Sequence, residues 1–135
     1  MPIIKWTEEL SVGVNAFDND HKKLIELFNK LYDALSQGEA NNLIPSVLKE
    51  LSDYTKSHFK KEENVLVTNN YPGYLDHKKL HDEFVANLQD LQEKFQSGNM
   101  TLGVSMFNLL TTWIKNHIKQ IDKKYTEYLN LKGIR

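Results

Sequence analysis

Residues 58–81 read HFKKEENVLVTNNYPGYLDHKKLH and hold three of the chain's five histidines. Around the helix-breaking run Asn69-Asn70-Tyr71-Pro72-Gly73, the inward-reading residues step by three and four, the period of an α-helix. Before the turn the stripe is Ile44, Val47, Leu51, Tyr54, His58, Glu62 and Val65; after it come Tyr74, His77, His81, Phe84, Leu88, Leu91 and Phe95. A connection this short makes the two helices antiparallel neighbours. It folds the quoted stretch back on itself so that its histidines face one another.

The same period recurs further out. His21, Leu24, Phe28, Leu31 and Leu35 form a stripe entered through the cap-forming Asp18-Asn19-Asp20 and stopped near Gln37-Gly38. Met106, Leu110, Trp113 and His117 form another after Ser97-Gly98-Asn99. Pro45 is placed in the first turn of the second helix, where its missing N–H is harmless. The pattern predicts an all-α, up-down-up-down antiparallel four-helix bundle as one domain over 1–135. Its helices are expected at about 19–37, 43–68, 74–96 and 101–130, with residues 1–17 as an N-terminal arm. Strand-like alternation, internal repeats and low-complexity tracts are absent from the sequence.

Composition narrows the function classes. The chain is 135 residues, 40% hydrophobic and 26% charged, the balance of one compact domain. Lys+Arg 17 against Asp+Glu 18 leaves a net charge of −1, which provides no field for nucleic acid or an anionic membrane. MPIIKWTEEL at the start has no signal-peptide pattern and no stretch is apolar enough to span a bilayer, so the expectation is a cytoplasmic protein. With no Cys, disulfides, thiolate nucleophiles and Cys-ligated metals are excluded. A metal would have to be held by His and carboxylates.

Every histidine falls on one of the four stripes. A single inward His is usually a core residue with a hydrogen-bond partner, but five of five need something in common, because buried imidazoles are costly without partners. At a rise of about 1.5 Å per residue, their depths along antiparallel helices coincide in one layer of the bundle. His58–Glu62 and His77–His81 are i,i+4 pairs, so both side chains of each pair aim at one interior site. HxxxE alone occurs in many soluble helices; joined by a short turn to HxxxH and levelled with two more histidines, it is specific. Glu62 and Asp122 are the carboxylates nearest these ligands, whereas Glu63, Glu127 and the Lys pairs 22-23, 60-61, 78-79 and 123-124 read as solvated helix faces. His117 and Asp122 are five residues apart, about 140° around an ideal α-helix, too divergent to share a site. The stripe resumes as Asp122, Tyr125 and Leu129 after that step of five, which predicts a π-bulge or helix break between them.

His21, HFKKE (58–62), HKKLH (77–81) and HIKQID (117–122), with the lead-in IKWTEELSVGVNAFDNDH, resemble the hemerythrin family in its single-domain bacterial form, over nearly the whole chain. The resemblance implies two irons per chain. His77, His81 and His117 would hold one, His21 and His58 the other, with Glu62, Asp122 and an oxo or hydroxo group bridging them. Twelve octahedral positions, less five imidazoles, four carboxylate oxygens and two from the bridge, leave one open, as functional metal sites require. Ligand chemistry alone would also admit zinc or manganese. The implied function is reversible O2 binding for carriage, storage or delivery, with O2 held as hydroperoxide on the two-His iron. Leu24, Phe59, Trp113 and Ile114 fall where the family's oxygen pocket is apolar, although each is also ordinary core. The implied protein is not an enzyme. The alternatives are a di-iron oxidase or peroxidase, or a sensor of O2, NO or iron acting through a separate protein partner. Against the first, ferritin-like oxidases use Glu-x-x-His pairs, and no Glu lies three residues before any His in this chain.

Overall fold

The computed structural model describes residues 4–36, 40–96 and 108–135, except the side chains of 35–36, 40–44, 91 and 94–96. Leu35, Ile44, Leu91, Phe95 and Met106 of the expected stripes, and the turns at Gln37-Gly38 and Ser97-Gly98-Asn99, thus lie outside what is described. The described residues form four long helices: α1 (Asn15–Ser36), α2 (Ala40–Thr68), α3 (Tyr74–Gln96) and α4 (108–131). There are no strands among the described residues, and none of their helices is long and apolar enough to cross a membrane.

Contacts between side chains fix the directions. His21 meets His58 while Lys30 reaches Glu50, so α1 and α2 run opposite ways. Phe59 stacks on His81 and Glu62 meets His77, which reverses α3 against α2. On α4, Tyr125, His117 and Trp113 meet His77, His81 and Phe84 in turn, and Tyr125 and Asp122 meet Phe17 and His21 of α1. The result is an antiparallel four-helix bundle.

Its interior has two apolar parts. The larger contains Leu24, Phe28, Leu31, Leu48, Leu51, Phe84, Leu88, Ile114 and Ile118; the smaller contains Val12, Val14, Phe17, Leu66, Tyr125 and Leu129. Burying a side chain such as Phe28 or Leu31 contributes roughly 1.5–3 kcal/mol. Between the two parts lies a polar layer holding all five histidines, Glu62 and Asp122, every one of them buried.

Three local expectations change. The first helix begins at Asn15, not near 19, so the arm is shorter and carries a 3-10 turn, Glu8–Leu10. Asp18 is not its cap. From inside the first turn, where a carboxylate also suits the helix dipole, it accepts Ser11 Oγ–H (2.6 Å) and Val12 N–H (2.8 Å), fastening the arm. Pro45 lies inside α2, which starts at Ala40, so the i→i−4 bond its nitrogen would make to residue 41 is missing. The arm also crosses the far end of α4. Thr126 Oγ–H donates to Val12 O (2.6 Å), and Gly13 (φ 73°) lies so close that a Cβ there would sit 2.6 Å from Thr126 Cγ2.

Helix α4 is not uniform. Residues 108–112 are α-helical, Trp113–Ile121 form a π-helix and Asp122–Tyr125 a 3-10 turn, before Thr126–Leu131 resume the α form. The wider turn lets Asp122 N–H donate to His117 O, five residues back, and sets both side chains on the inner face. The five-residue step in the stripe is the sequence trace of this widening.

Candidate metal centre

All four helices supply ligand candidates. α1 supplies His21; α2 supplies His58 and Glu62 one turn apart; α3 supplies His77 and His81 one turn apart; the π-helix and the turn after it supply His117 and Asp122. Their donor atoms form two groups sharing Glu62: Glu62, His77, His81, His117 and Asp122, and His21, His58 and Glu62. Within each group the atoms lie within 4.8 Å of one another. Bonds of about 2 Å to one ion would place ligand atoms roughly 3 to 4 Å apart.

The facing atoms are of the kind an ion needs. His21 and His58 present Nε2 to Nε2 at 3.0 Å, and His81 and His117 do the same at 3.1 Å. Glu62 Oε1 meets His77 Nε2 and lies 3.3 Å from His81 Nε2, while its Oε2 is 3.2 Å from His58 Nε2 and 4.0 Å from His21 Nε2. Asp122 Oδ2 is 3.4 Å from His21 Nε2, and its Oδ1 is 2.8 Å from His117 Nε2 and 3.1 Å from His77 Nε2. Those contacts at Oδ1 lack hydrogen-bond geometry, so a buried carboxylate oxygen is left without a donor. Such groups are expensive to bury unless something cationic meets them. The donor set, imidazole and carboxylate throughout, fits divalent iron, zinc or manganese.

Outer contacts fix the tautomers. His58 Nδ1–H donates to Asp20 Oδ2 at 2.8 Å, and His81 Nδ1–H donates to Glu63 Oε2 at 2.8 Å, which leaves the Nε2 lone pair of each aimed inward. Asp20 is itself held by Tyr54 O–H (3.1 Å) and Lys61 Nζ (3.0 Å). Tyr125, fully enclosed, donates its O–H to Glu62 Oε2 at 3.0 Å. Among the described residues, His21 Nδ1 and His117 Nδ1 have no hydrogen-bond partner.

Electrostatics divides the histidines of the metal-free chain. Burial alone would lower His58 and His77, but the Asp20 bond for the first, and the nearby Asp122 and Glu62 carboxylates for the second, raise each to about 9. For His21 burial dominates over the attraction of Asp122 and brings it down to about 4; His117 is lowered for the same reason. Burial would raise Glu62, yet the facing rings of His58, His77 and His81 hold it well below the usual carboxylate range. Burial and the Glu62 charge push Asp122 up, and His117 and His77 bring it below its ordinary value. Both carboxylates therefore stay anionic in the interior. Burial, with Glu62 and Asp122 close by, pushes the Tyr125 phenol well up and keeps it a donor.

All seven ligand candidates thus come together. Leu24, Trp113 and Ile114 line one internal cavity of ≈ 20 Å³ with Phe28, Leu51, Thr55, Phe84, Leu110 and Ile118. Phe59 is not among its lining residues; its ring stacks flat on His81 at 3.8 Å, as Trp113 stacks on His117 at 3.7 Å. Sequence reasoning missed Asp20 and assigned Glu63 and Lys61 to solvated faces. Glu63 is in fact bonded to His81, and Lys61 to the carboxylate behind His58. The position of Asp20 beside a ligand was the only local trace of its role. Tyr125 was on the stripe, but its bond to Glu62 was not legible.

The chain was compared with known proteins. Residues 12–129 match the family described as Hemerythrin HHE cation binding domain. A curated bacteriohemerythrin from Pseudomonas aeruginosa is 35% identical over 127 residues, covering 94% of this chain and 82% of the relative. A second, from Methylococcus capsulatus, is 33% identical over 126 residues, covering 93% and 95%. The crystal structure of wild-type hemerythrin superposes with a TM-score of 0.83 at 32% identity, covering 93% of this chain and 96% of the other. With a bundle of that shape, a buried histidine–carboxylate layer suited to a metal pair and relatives matched over nearly their full length, the chain belongs to the hemerythrin family.

Proposed function

We propose that the protein binds O2 reversibly at a non-haem di-iron centre, for carriage, storage or delivery. His77, His81 and His117 would hold one iron and His21 and His58 the other, with Glu62 and Asp122 offering an oxygen to each. Bound there, iron would supply the reversible electron exchange that O2 binding needs. The observation that carries the proposal is the apolar cavity of ≈ 20 Å³ whose wall residue Trp113 stacks on the ligand candidate His117. It is room for one small molecule. Leu24, Thr55, Trp113, Ile114 and Ile118 in its wall each lie within about one turn of His21, His58 or His117.

The residues divide the work. Asp20 and Glu63 orient His58 and His81; Tyr125 fixes the second oxygen of Glu62; Phe59 and Trp113 clamp the rings of His81 and His117. Leu24, Ile114 and Ile118 exclude water, since apolar cavities of this kind stay dry and admit apolar gases. Of the described residues lining the cavity, Thr55 and Trp113 alone carry a polar side-chain group. Among the described residues no carboxylate or imidazole lines it to deliver the protons that reduction of O2 to water or peroxide consumes, which favours carriage over oxidase turnover.

The test is an O2 cycle on the anaerobic ferrous protein: record the absorption spectrum, add O2, record again, then remove O2. Full return to the first spectrum is expected. Irreversible oxidation with release of peroxide or water would overturn the carrier role.

A further inference from the structure

A groove of ≈ 190 Å³ opens between α3 and α4 and shares only Phe84 and Trp113 with the small inner cavity. Leu80, Leu109 and Ile121 complete its apolar wall, and His117 is the one ligand candidate in that wall. The exposed side chains of Glu83, Asn87, Thr112 and Asn116 form its rim. Among the described residues no lysine or arginine lines it. His117 brings to this wall a polar atom with nothing to bond. Its Nε2 faces His81 and Asp122 in the donor cluster, and Trp113 covers one face of its ring at 3.7 Å. That leaves Nδ1, which is buried and, among the described residues, without a hydrogen-bond partner. The corresponding nitrogens of His58 and His81 donate to Asp20 and Glu63. A ligating imidazole ordinarily donates its second N–H to such an acceptor.

We propose that the α3–α4 groove is a second binding site, for a neutral single-ring aromatic molecule whose carbonyl oxygen accepts the Nδ1–H of His117. Size sets the ring count. An apolar cavity of about 150 Å³ holds a benzene, so ≈ 190 Å³ takes one ring and a short substituent. The aliphatic wall and the rings of Phe84 and Trp113 suit a flat apolar body. Charge selects a neutral molecule, because the rim carboxylate of Glu83 repels an anion, no basic side chain of the lining attracts one, and a cation has no acceptor to offer His117. The acceptor is what distinguishes this ligand from any other small apolar ring. Only the direction of the hydrogen bond rests on the metal centre proposed above: with Nε2 given to an ion, the imidazole proton stays on Nδ1. An acceptor at Nδ1–H makes Nε2 the more basic, so filling the groove tightens the hold of His117 on its ion.

The test titrates two probes, acetophenone and α-methylstyrene, which has the same shape without the carbonyl, into metal-free and iron-loaded protein by calorimetry. Nitrogen-15 NMR of the metal-free chain follows the His117 ring and the Trp113 indole. Thr112→Phe and Asn87→Phe fill the groove from opposite sides at exposed positions, and melting curves check that both variants fold. One acetophenone per chain is expected in both forms of the parent, with the Trp113 signal displaced and the His117 proton on Nδ1. α-Methylstyrene should bind about tenfold more weakly, since it leaves the buried N–H unpaired, and the Phe variants should bind neither probe. Metal content is measured on the same samples, so a chain that fails to load two irons counts against the metal centre while the metal-free titration still decides the groove. Four results would overturn the site: no acetophenone bound by the metal-free parent, equal affinity for α-methylstyrene, unaltered binding in a folded Phe variant, or a parent loaded with two irons that binds no acetophenone.

Discussion

Removing Asp20 or Glu63 should weaken one ion of the pair and spare the other. Asp20 Oδ2 accepts the Nδ1–H of His58, and Glu63 Oε2 accepts that of His81, each at 2.8 Å. His58 belongs to the group with His21, and His81 to the group with His77 and His117. Loss of such an outer partner weakens metal binding by about 10–100-fold, or about 1.4–2.7 kcal/mol. Asp20→Asn keeps an acceptor for His58 but loses the charge and turns against Lys61, so the lower end is expected. Asp20→Ala leaves a buried N–H unpaired, a further penalty of about 1–3 kcal/mol in stability, and belongs at the upper end. Glu63 is 17% exposed, so water replaces part of its bond and the loss on Glu63→Gln is expected near tenfold, about 1.4 kcal/mol. The assay is anaerobic competition for ferrous ion against a coloured chelator, followed to two ions per chain. Parent protein gives its two binding steps; Asp20→Ala shifts one and Glu63→Gln the other. Asp20→Asn should also lower the His58 pKa from about 9 in the metal-free protein, because burial then meets less opposition; proton NMR reads it. If both variants weaken the same step, or neither weakens any, the division of the outer carboxylates between the ions is wrong.

Metal uptake should release protons, because His58 and His77, raised to about 9 in the metal-free chain, hold protons at pH 7 that ligation expels. Calorimetry in buffers of different ionisation enthalpy should find about two imidazole protons per chain at pH 7, vanishing as pH rises through about 9. By the same shifts, the metal-free protein carries a stabilising contribution from both groups that is complete below their unfolded value near 6.5 and lost as pH rises through about 9; melting curves across that window check the sign. Leu24→Ser, which opens the apolar cavity to water and changes no ligand, should keep two irons but convert faster to the inert ferric form in air. An unchanged ferric conversion rate would remove the cavity from the mechanism. Gly13→Ala meets both a φ of 73° and a Cβ 2.6 Å from Thr126 Cγ2, so it should lower stability by roughly 1–3 kcal/mol, read from thermal melts.

The local pattern of the sequence was enough for the bundle, for the seven converging side chains and for the widened turn between His117 and Asp122. Each of these is a periodicity: three- and four-residue steps bring side chains onto one face, and a step of five cannot do so unless the helix itself is wound differently. The helix starts were less legible. The cap-like Asp18 lies inside α1 because its carboxylate serves the arm, and Pro45 lies a turn deeper than its chemistry prefers because packing outweighs one missing hydrogen bond. What periodicity could not supply was the layer behind the ligands. Asp20 meets His58 across 38 residues, Glu63 meets His81 across 18, and Tyr125 meets Glu62 across 63. Those contacts depend on how far each helix is rotated and slid against its neighbours, and Asp20 and Glu63 stand next to ligands on faces that a single-helix projection assigns to solvent. Only assembly of the bundle folds those faces inward and closes the cavity that Leu24, Trp113 and Ile114 share, because helix rotation and offset are set by side chains packing between helices, not along one.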